Sequence, residues 1–211
     1  ASKLTINSAL QYHNEGKIKE AKDIYEQILI EEPLHFDALH LFGVAYYQQE
    51  NYSMAIKFIN KALRVIPDNA AALSNLGSAL NDSGQFTEAV KNLQKAIKIN
   101  SNFAEAHNNL GNGLNGLGKL ADAEKSFRTA IKINPKFSDA YHNLGNTLYE
   151  LGKVEEAFEN HKIAIDLQPT NDSYWISLAE TCKYLSPHFS DLSLYNIFEE
   201  LFERKILRGR D

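Results

Sequence analysis

Three groups of polar side chains recur along the chain at helical spacing: Asn75, Ser78 and Asn81; Asn109, Asn112 and Asn115; Asn143, Asn146 and Tyr149. Steps of three residues put the members of each group on one helix face. Asparagine is a poor helix former, because its side chain competes for nearby backbone groups and prefers caps and turns. So many of them inside helical stretches need a reason. A side-chain amide carries two N–H donors and an oxygen acceptor. It can pair with both the N–H and the C=O of a peptide backbone. A row of such amides would grip an extended chain without reading its side chains. Packed helices lie ~8–10 Å apart, and an extended peptide advances ~3.3–3.6 Å per residue. One amide row per helix layer would thus meet about every third peptide residue.

No catalytic set accompanies these groups. H-E-x-x-H, C-x-x-C, phosphate-loop and nucleophile-elbow motifs are absent. The run Gly111-Asn112-Gly113-Leu114-Asn115-Gly116 resembles a phosphate loop only superficially, since it lies inside a helical pattern with no strand before it. Its extra glycines point instead to an unusually flexible helix. His107 and His161 fall at packing positions, and His40 and His142 are too far apart along the chain to share a metal. Cys182 is the single cysteine, which excludes an internal disulfide and a four-cysteine metal site. The net charge of -5 offers no electrostatic footprint for nucleic acid. No apolar run approaches the roughly 18 residues of a membrane span, and the N-terminus lacks the apolar core of a signal peptide. With 44% hydrophobic residues the chain can fold. The expectation is a soluble, cytoplasmic, noncatalytic protein with no cofactor and no metal.

The elements that carry these residues follow one period. Gly43, Gly77, Gly111 and Gly145 fall 34 residues apart, as do Ala21, Ala55, Ala89, Ala123 and Ala157, and Ala62, Ala96, Ala130 and Ala164. Pro33, Pro67, Pro135 and Pro169 share the grid, with Ser101 in the vacant slot. Within 104–137, Leu110, Gly111, Leu114 and Leu117 have helical spacing, Gly118 breaks it, and Leu120, Ala123, Phe127, Ala130 and Ile131 restore it. Asn134-Pro135 ends the second helix, because the residue before proline is pushed out of the α region. Each unit is therefore helix A, turn, helix B, turn. The small residues let helices A and B of one unit approach closely, which must offset the cost of glycine in mid-helix. A fixed period of this length marks a solenoid.

This pattern of small residues and proline resembles the tetratricopeptide repeat family over about four-fifths of the chain. The resemblance implies an all-α, right-handed superhelical solenoid of 34-residue helix-turn-helix repeats with a C-terminal capping helix. Five repeats read 2–35, 36–69, 70–103, 104–137 and 138–171, with a partial sixth helix A at 172–186 and the capping helix at 188–211. The first unit departs, with Ser8-Ala9 and Ile28 at positions that hold Leu-Gly and Ala in later units. The ending at Arg210-Asp211 reads as a piece of something longer.

The resemblance also implies that helix A lines a concave groove. Asn75, Asn109 and Asn143 then form a ladder similar to that of the superhelical domain of O-GlcNAc transferase-type proteins, where such asparagines hold the peptide backbone. The expected peptide-binding residues are Asn75, Asn109, Asn112, Asn143 and Asn146, with Tyr149 flanking them. The rival reading is that these amides bridge neighbouring helices. A carboxylate clamp is rejected, since no paired Lys or Arg falls on groove positions, and Asp37, Asp82, Glu105, Asp139 and Glu150 make it mildly acidic. Ile6, Leu10, Leu41, Val44 and Tyr47 form an apolar patch in the first two units. It suits a greasy ligand segment, an adjoining domain or self-association through the terminal repeats. The expected function is a protein- or peptide-binding scaffold. The alternative is the substrate-recruiting arm of a transferase whose catalytic domain lies outside this chain.

Overall fold

The computed structural model describes residues 5–185, together with Ile197, Glu199 and Glu203. Among the described residues the regular structure is helical, and contacts divide the chain into two compact units, Ala1–Leu117 and Gly118–Asp211. The first holds α1 (Ile6–Asn14), α2 (Ile18–Glu31), α3 (Phe36–Gln48), α4 (Tyr52–Val65), α5 (Ala70–Asp82), α6 (Phe86–Ile99) and α7 (Ala104–Gly116). The second holds α8 (Leu120–Ile133), α9 (Ser138–Glu150), α10 (Val154–Leu167) and α11 (Asp172–Cys182). The capping helix expected over 188–211 lies outside the described residues, apart from Ile197, Glu199 and Glu203. Ile197 is buried with Leu178 and Trp175.

Each even-numbered helix buries one narrow stripe. In α4 it is Ala55, Ile59 and Ala62; in α6 it is Ala89, Leu93 and Ala96; in α8 it includes Ala123, Phe127 and Ala130. Steps of three and four residues produce that stripe. In α4 and α6 the central large residue enters the space left by the mid-helix glycine of the preceding helix. A Cβ on Gly77 would sit 2.4 Å from Leu93 Cγ, and one on Gly43 would sit 2.6 Å from Ile59 Cγ1. The glycines expected to loosen α7 do the opposite. A Cβ on Gly116 would lie 2.4 Å from the Phe86 ring, and one on Gly113 would lie 2.8 Å from Asn81 Oδ1. They admit α6 and the Asn81 amide to close contact with α7.

Helix B ends two residues before proline, at Val65 and Ile133, with the intervening Ile66 and Asn134 extended. Helix α6 ends in the same register at Ile99, although Ser101 replaces the proline. There Asn100 Oδ1 accepts from Asn102 N (3.1 Å), and Asn134 Oδ1 accepts likewise from Lys136 N (3.1 Å). The Asx turn is thus common to both helix ends and holds the chain out of the helix with or without proline.

The turns between A and B use a left-handed residue once per repeat: Gly16, Gly84, Gly118 and Gly152, but Glu50 at φ 58°. A side chain with Cβ is strained there by about 1–2 kcal/mol. Replacement Glu50→Gly should therefore raise stability by about 1 kcal/mol, after the greater unfolded-state freedom of glycine is counted. Thermal unfolding would show this as a Tm increase of about 2–4 °C. An unchanged or lower Tm would mean that the turn is not strained.

Candidate functional site

The six residues expected to bind peptide are all half-buried. In the first unit, Asn75 and Asn109 are tied to the helix A before them. Asn75 Nδ2 lies 2.9 Å from His40 Nε2, so α5 is joined to α3. Asn109 Nδ2 donates to Ser78 Oγ (2.7 Å) and reaches Ser74 Oγ at 3.5 Å, so α7 is joined to α5. The oxygens of both amides have no partner among the described residues. Asn112 makes no side-chain hydrogen bond among the described residues, so its donors and acceptor are all available.

The Asn109–Ser78 bond spans 31 residues, whereas Asn75–His40 and the longer Asn109–Ser74 contact join residues 35 apart, one repeat plus one. The same offset joins Tyr47 to Asp82, whose carboxylate accepts at 2.6 Å. It also joins Tyr174 to Asp139 within the second unit. Burial, then the Asp82 bond, raises the Tyr47 pKa. Period and helical geometry together would reveal such pairs in the sequence, because residue i of one helix A abuts i+35 of the next. Reading each face separately misses them.

Several other polar residues of the A helices are buried. Ser74 is 1% exposed and Asn108 6%. Asn81 is buried because it donates to the Asn109 carbonyl (2.8 Å) against Gly113. His13 is buried because it pairs with Tyr25 Oη (3.1 Å), and burial lowers its pKa while pushing that of Tyr25 up to about 12. Of the apolar patch, Ile6 and Leu41 pack on the core of Ala9, Tyr25 and Phe42, whereas Leu10 is exposed.

In the second unit Asn143 is half-buried, and its carbonyl accepts from Thr147 Oγ1 (2.8 Å). Tyr149 meets Tyr184 edge to face at 5.7 Å. Asn146 belongs to a hydrogen-bonded chain that runs into the interior. It stands 3.1 Å from His142 Nε2 and 3.1 Å from His161 Nε2. His161 Nδ1 stands 3.1 Å from Thr181 Oγ1, which donates to the Ser177 carbonyl (2.8 Å). Thr181 therefore accepts from His161 Nδ1–H, and a neutral His161 has only a lone pair left at Nε2. With Asn146 Nδ2 toward His142 and Oδ1 toward His161 these needs conflict; turning the amide over closes all bonds, its N–H going to His161 and its oxygen accepting from His142 Nε2–H. His142 Nδ1, buried with no hydrogen-bond partner, is then a lone pair, not an unmet donor. Burial, and secondarily His142, lowers the His161 pKa to about 3. His142 stacks on Tyr174 at 4.7 Å, and burial lowers its pKa too.

Among the described residues, no group of His, Cys, Asp or Glu could hold a metal ion, and no helix is long and apolar enough to cross a membrane. The free Cys182 thiol is pushed up to about 11 by burial, far from the range of a reactive thiolate.

Paired helices, a glycine at each A–B crossing and polar links at a 35-residue offset define a helical repeat protein. Tetratricopeptide repeat profiles match residues 12–80, 77–114, 104–137 and 126–159. They tile 12–159 without a gap, and the chain belongs to the tetratricopeptide repeat family. Proteins of this family act as scaffolds that bind proteins or peptides. No curated protein matches the sequence. Among solved structures, MamA is 25% identical with a TM-score of 0.66, over 79% of this chain and 97% of that one. YrrB, described as a TPR protein with an unusual peptide-binding site, is 29% identical with a TM-score of 0.65, over 85% of this chain and 90% of its own. PilF of Pseudomonas aeruginosa is 19% identical with a TM-score of 0.77, over 97% and 91%. That last likeness is one of fold alone.

Proposed function

We propose that this protein is a noncatalytic scaffold that binds an extended peptide along its A helices through side-chain amides. One observation carries the reading. Asn75 and Asn109 are each anchored through nitrogen to the preceding helix A, with the oxygen left over to accept from a peptide N–H. An anchored amide loses little rotamer freedom on binding, so its hydrogen bond is stronger in net terms. Asn112 supplies a third amide one turn from Asn109. In the second unit the candidate contacts are Asn143 and Tyr149. Asn146 acts from behind them, because its amide already serves two histidines. The peptide-binding site described for YrrB, a relative of the same repeat type, favours this class of ligand. The ladder also supports the second reading, a substrate-recruiting arm of a larger transferase. Transfer activity in the full-length gene product would distinguish that reading from a free-standing scaffold.

The test is a random extended-peptide library screened by fluorescence anisotropy against the full chain and its Asn109→Ala/Asn143→Ala variant. The variant should keep its helical circular dichroism and lose about 1 kcal/mol of stability per amide bond removed. Micromolar binding by the parent should weaken at least about tenfold. Equal binding by both proteins would sink the amide-ladder reading.

A further inference from the structure

A second surface lies on the B-helix side of the first unit, away from the A-helix amides. A cleft of about 760 Å³ opens between α4 and α6. Lys57, Lys61 and Arg64 line it from α4, and Lys95 and Asn92 line it from α6. The three α4 residues follow i, i+4, i+7 spacing, which places them on one helix face over about 10 Å. Helix α4 contains no acidic residue. Lys57, Lys61 and Arg64 are exposed and form no ion pair among the described residues. Lys95 is pinned to the floor by the Pro67 carbonyl (2.9 Å) and Asp68 (2.9 Å). Leu63 and Leu73 give the cleft an apolar base.

Clustered cations repel one another, and here they gather in a protein whose net charge is -5. Such a concentration of one sign in a concave place focuses potential toward an anionic ligand. We infer that the α4–α6 cleft binds an acidic, carboxylate-bearing segment of a partner polypeptide. Arg64 presents a fork that matches a carboxylate in bidentate geometry, and Lys57 and Lys61 add point charges on either side of the next turn. The leucine base favours a peptide with apolar residues between its carboxylates. Nucleic acid fits less well. The cationic row is only about two turns long, and the sequence pI of 5.8 opposes a polyanion over longer range.

The probe is a fluorescein-labelled peptide of repeated Glu-Glu-Leu-Gly, compared with its Gln-Gln-Leu-Gly counterpart and a ten-nucleotide oligothymidine. The acidic peptide should bind the full chain at micromolar strength, at least about tenfold more tightly than the glutamine peptide, and should weaken as salt rises. Lys61→Ala/Arg64→Ala should weaken it at least about tenfold. Lys132→Ala/Lys136→Ala changes net charge equally, outside the cleft, and should alter binding less than about twofold. All four side chains are exposed, so circular dichroism should report intact helices in both variants. Equal losses in the two variants, absence of acidic-peptide binding, or tighter binding of the oligonucleotide would each overturn the inference.

Discussion

Acidification from pH 7 to pH 4.5 is expected to remove about 3 kcal/mol of stability through His161 alone. The imidazole is 1% exposed, and its pKa in the fold is about 3 against 6.5 in the unfolded chain. A lowered folded-state pKa means that the unfolded chain binds the proton first as pH falls. The contribution is complete above pH 6.5 and is lost progressively down to about 3. At pH 4.5 two pH units have been traversed, at about 1.4 kcal/mol each. His142, His40 and His13 are also held below their ordinary value by burial and add in the same direction. Asp139 faces His142 and moderates its shift only in part. Carboxylates such as Glu124, whose pKa is lowered chiefly by its bond to Lys153, begin to lose their contribution near pH 4.5 and lose most of it below, so the histidines dominate the window. Such a loss is a large fraction of the roughly 5–15 kcal/mol that holds a domain together. Phenylalanine occupies the equivalent place at 127, so His161→Phe keeps the packing while removing the titration. Urea unfolding at the two pH values should show a much smaller difference in that variant. An equal difference would place the acid sensitivity elsewhere.

Gly77→Ala should destabilise the protein by about 2 kcal/mol, although alanine is the better helix former. The new methyl would lie 2.4, 2.7 and 2.8 Å from Leu93 Cγ, Cδ2 and Cδ1. Leu93 is 0% exposed and has nowhere to go, so helices α5 and α6 must part or the leucine must leave its rotamer. The intrinsic gain of about 1 kcal/mol from replacing glycine is smaller than that overpacking cost. Leu93→Ala alone leaves a cavity worth about 2–5 kcal/mol. Combined with Gly77→Ala it should cost less than the two single losses added, because the new methyl enters the vacated space. Chemical denaturation of the four proteins in this cycle checks the claim. Simple additivity, or a stable Gly77→Ala, would show that the glycine is not a contact site.

The helix–turn–helix alternation and the mid-helix glycines were legible in the residues because they depend on period alone. A 34-residue recurrence of Gly77 and Leu93 types specifies which faces meet, whatever the detailed path of the chain. Helix ends were readable for a similar local reason, and α6 keeps the register where Ser101 stands in the proline slot, with an Asx turn at Asn100 like that at Asn134. The site was legible only in its residue types. Spacing put Asn75, Asn109, Asn112, Asn143 and Asn146 on helix A faces, but spacing within one helix cannot say which neighbour consumes an amide. That depends on how successive A helices abut, with Asn75 bonded to His40 across 35 residues and Asn109 to Ser78 across 31, which leaves their oxygens over. It depends also on depth. His161 accepts the place of an aromatic because Asn146 and Thr181 satisfy its two nitrogens in the interior. Gly113 and Gly116 look like sources of flexibility in one dimension and prove to be close contacts in three, since only packing shows Asn81 and Phe86 against them. Local periodicity determined the repeating architecture; long-range contacts decided which polar groups remain available to a ligand, because hydrogen-bond partners are set by distance in space and not along the chain.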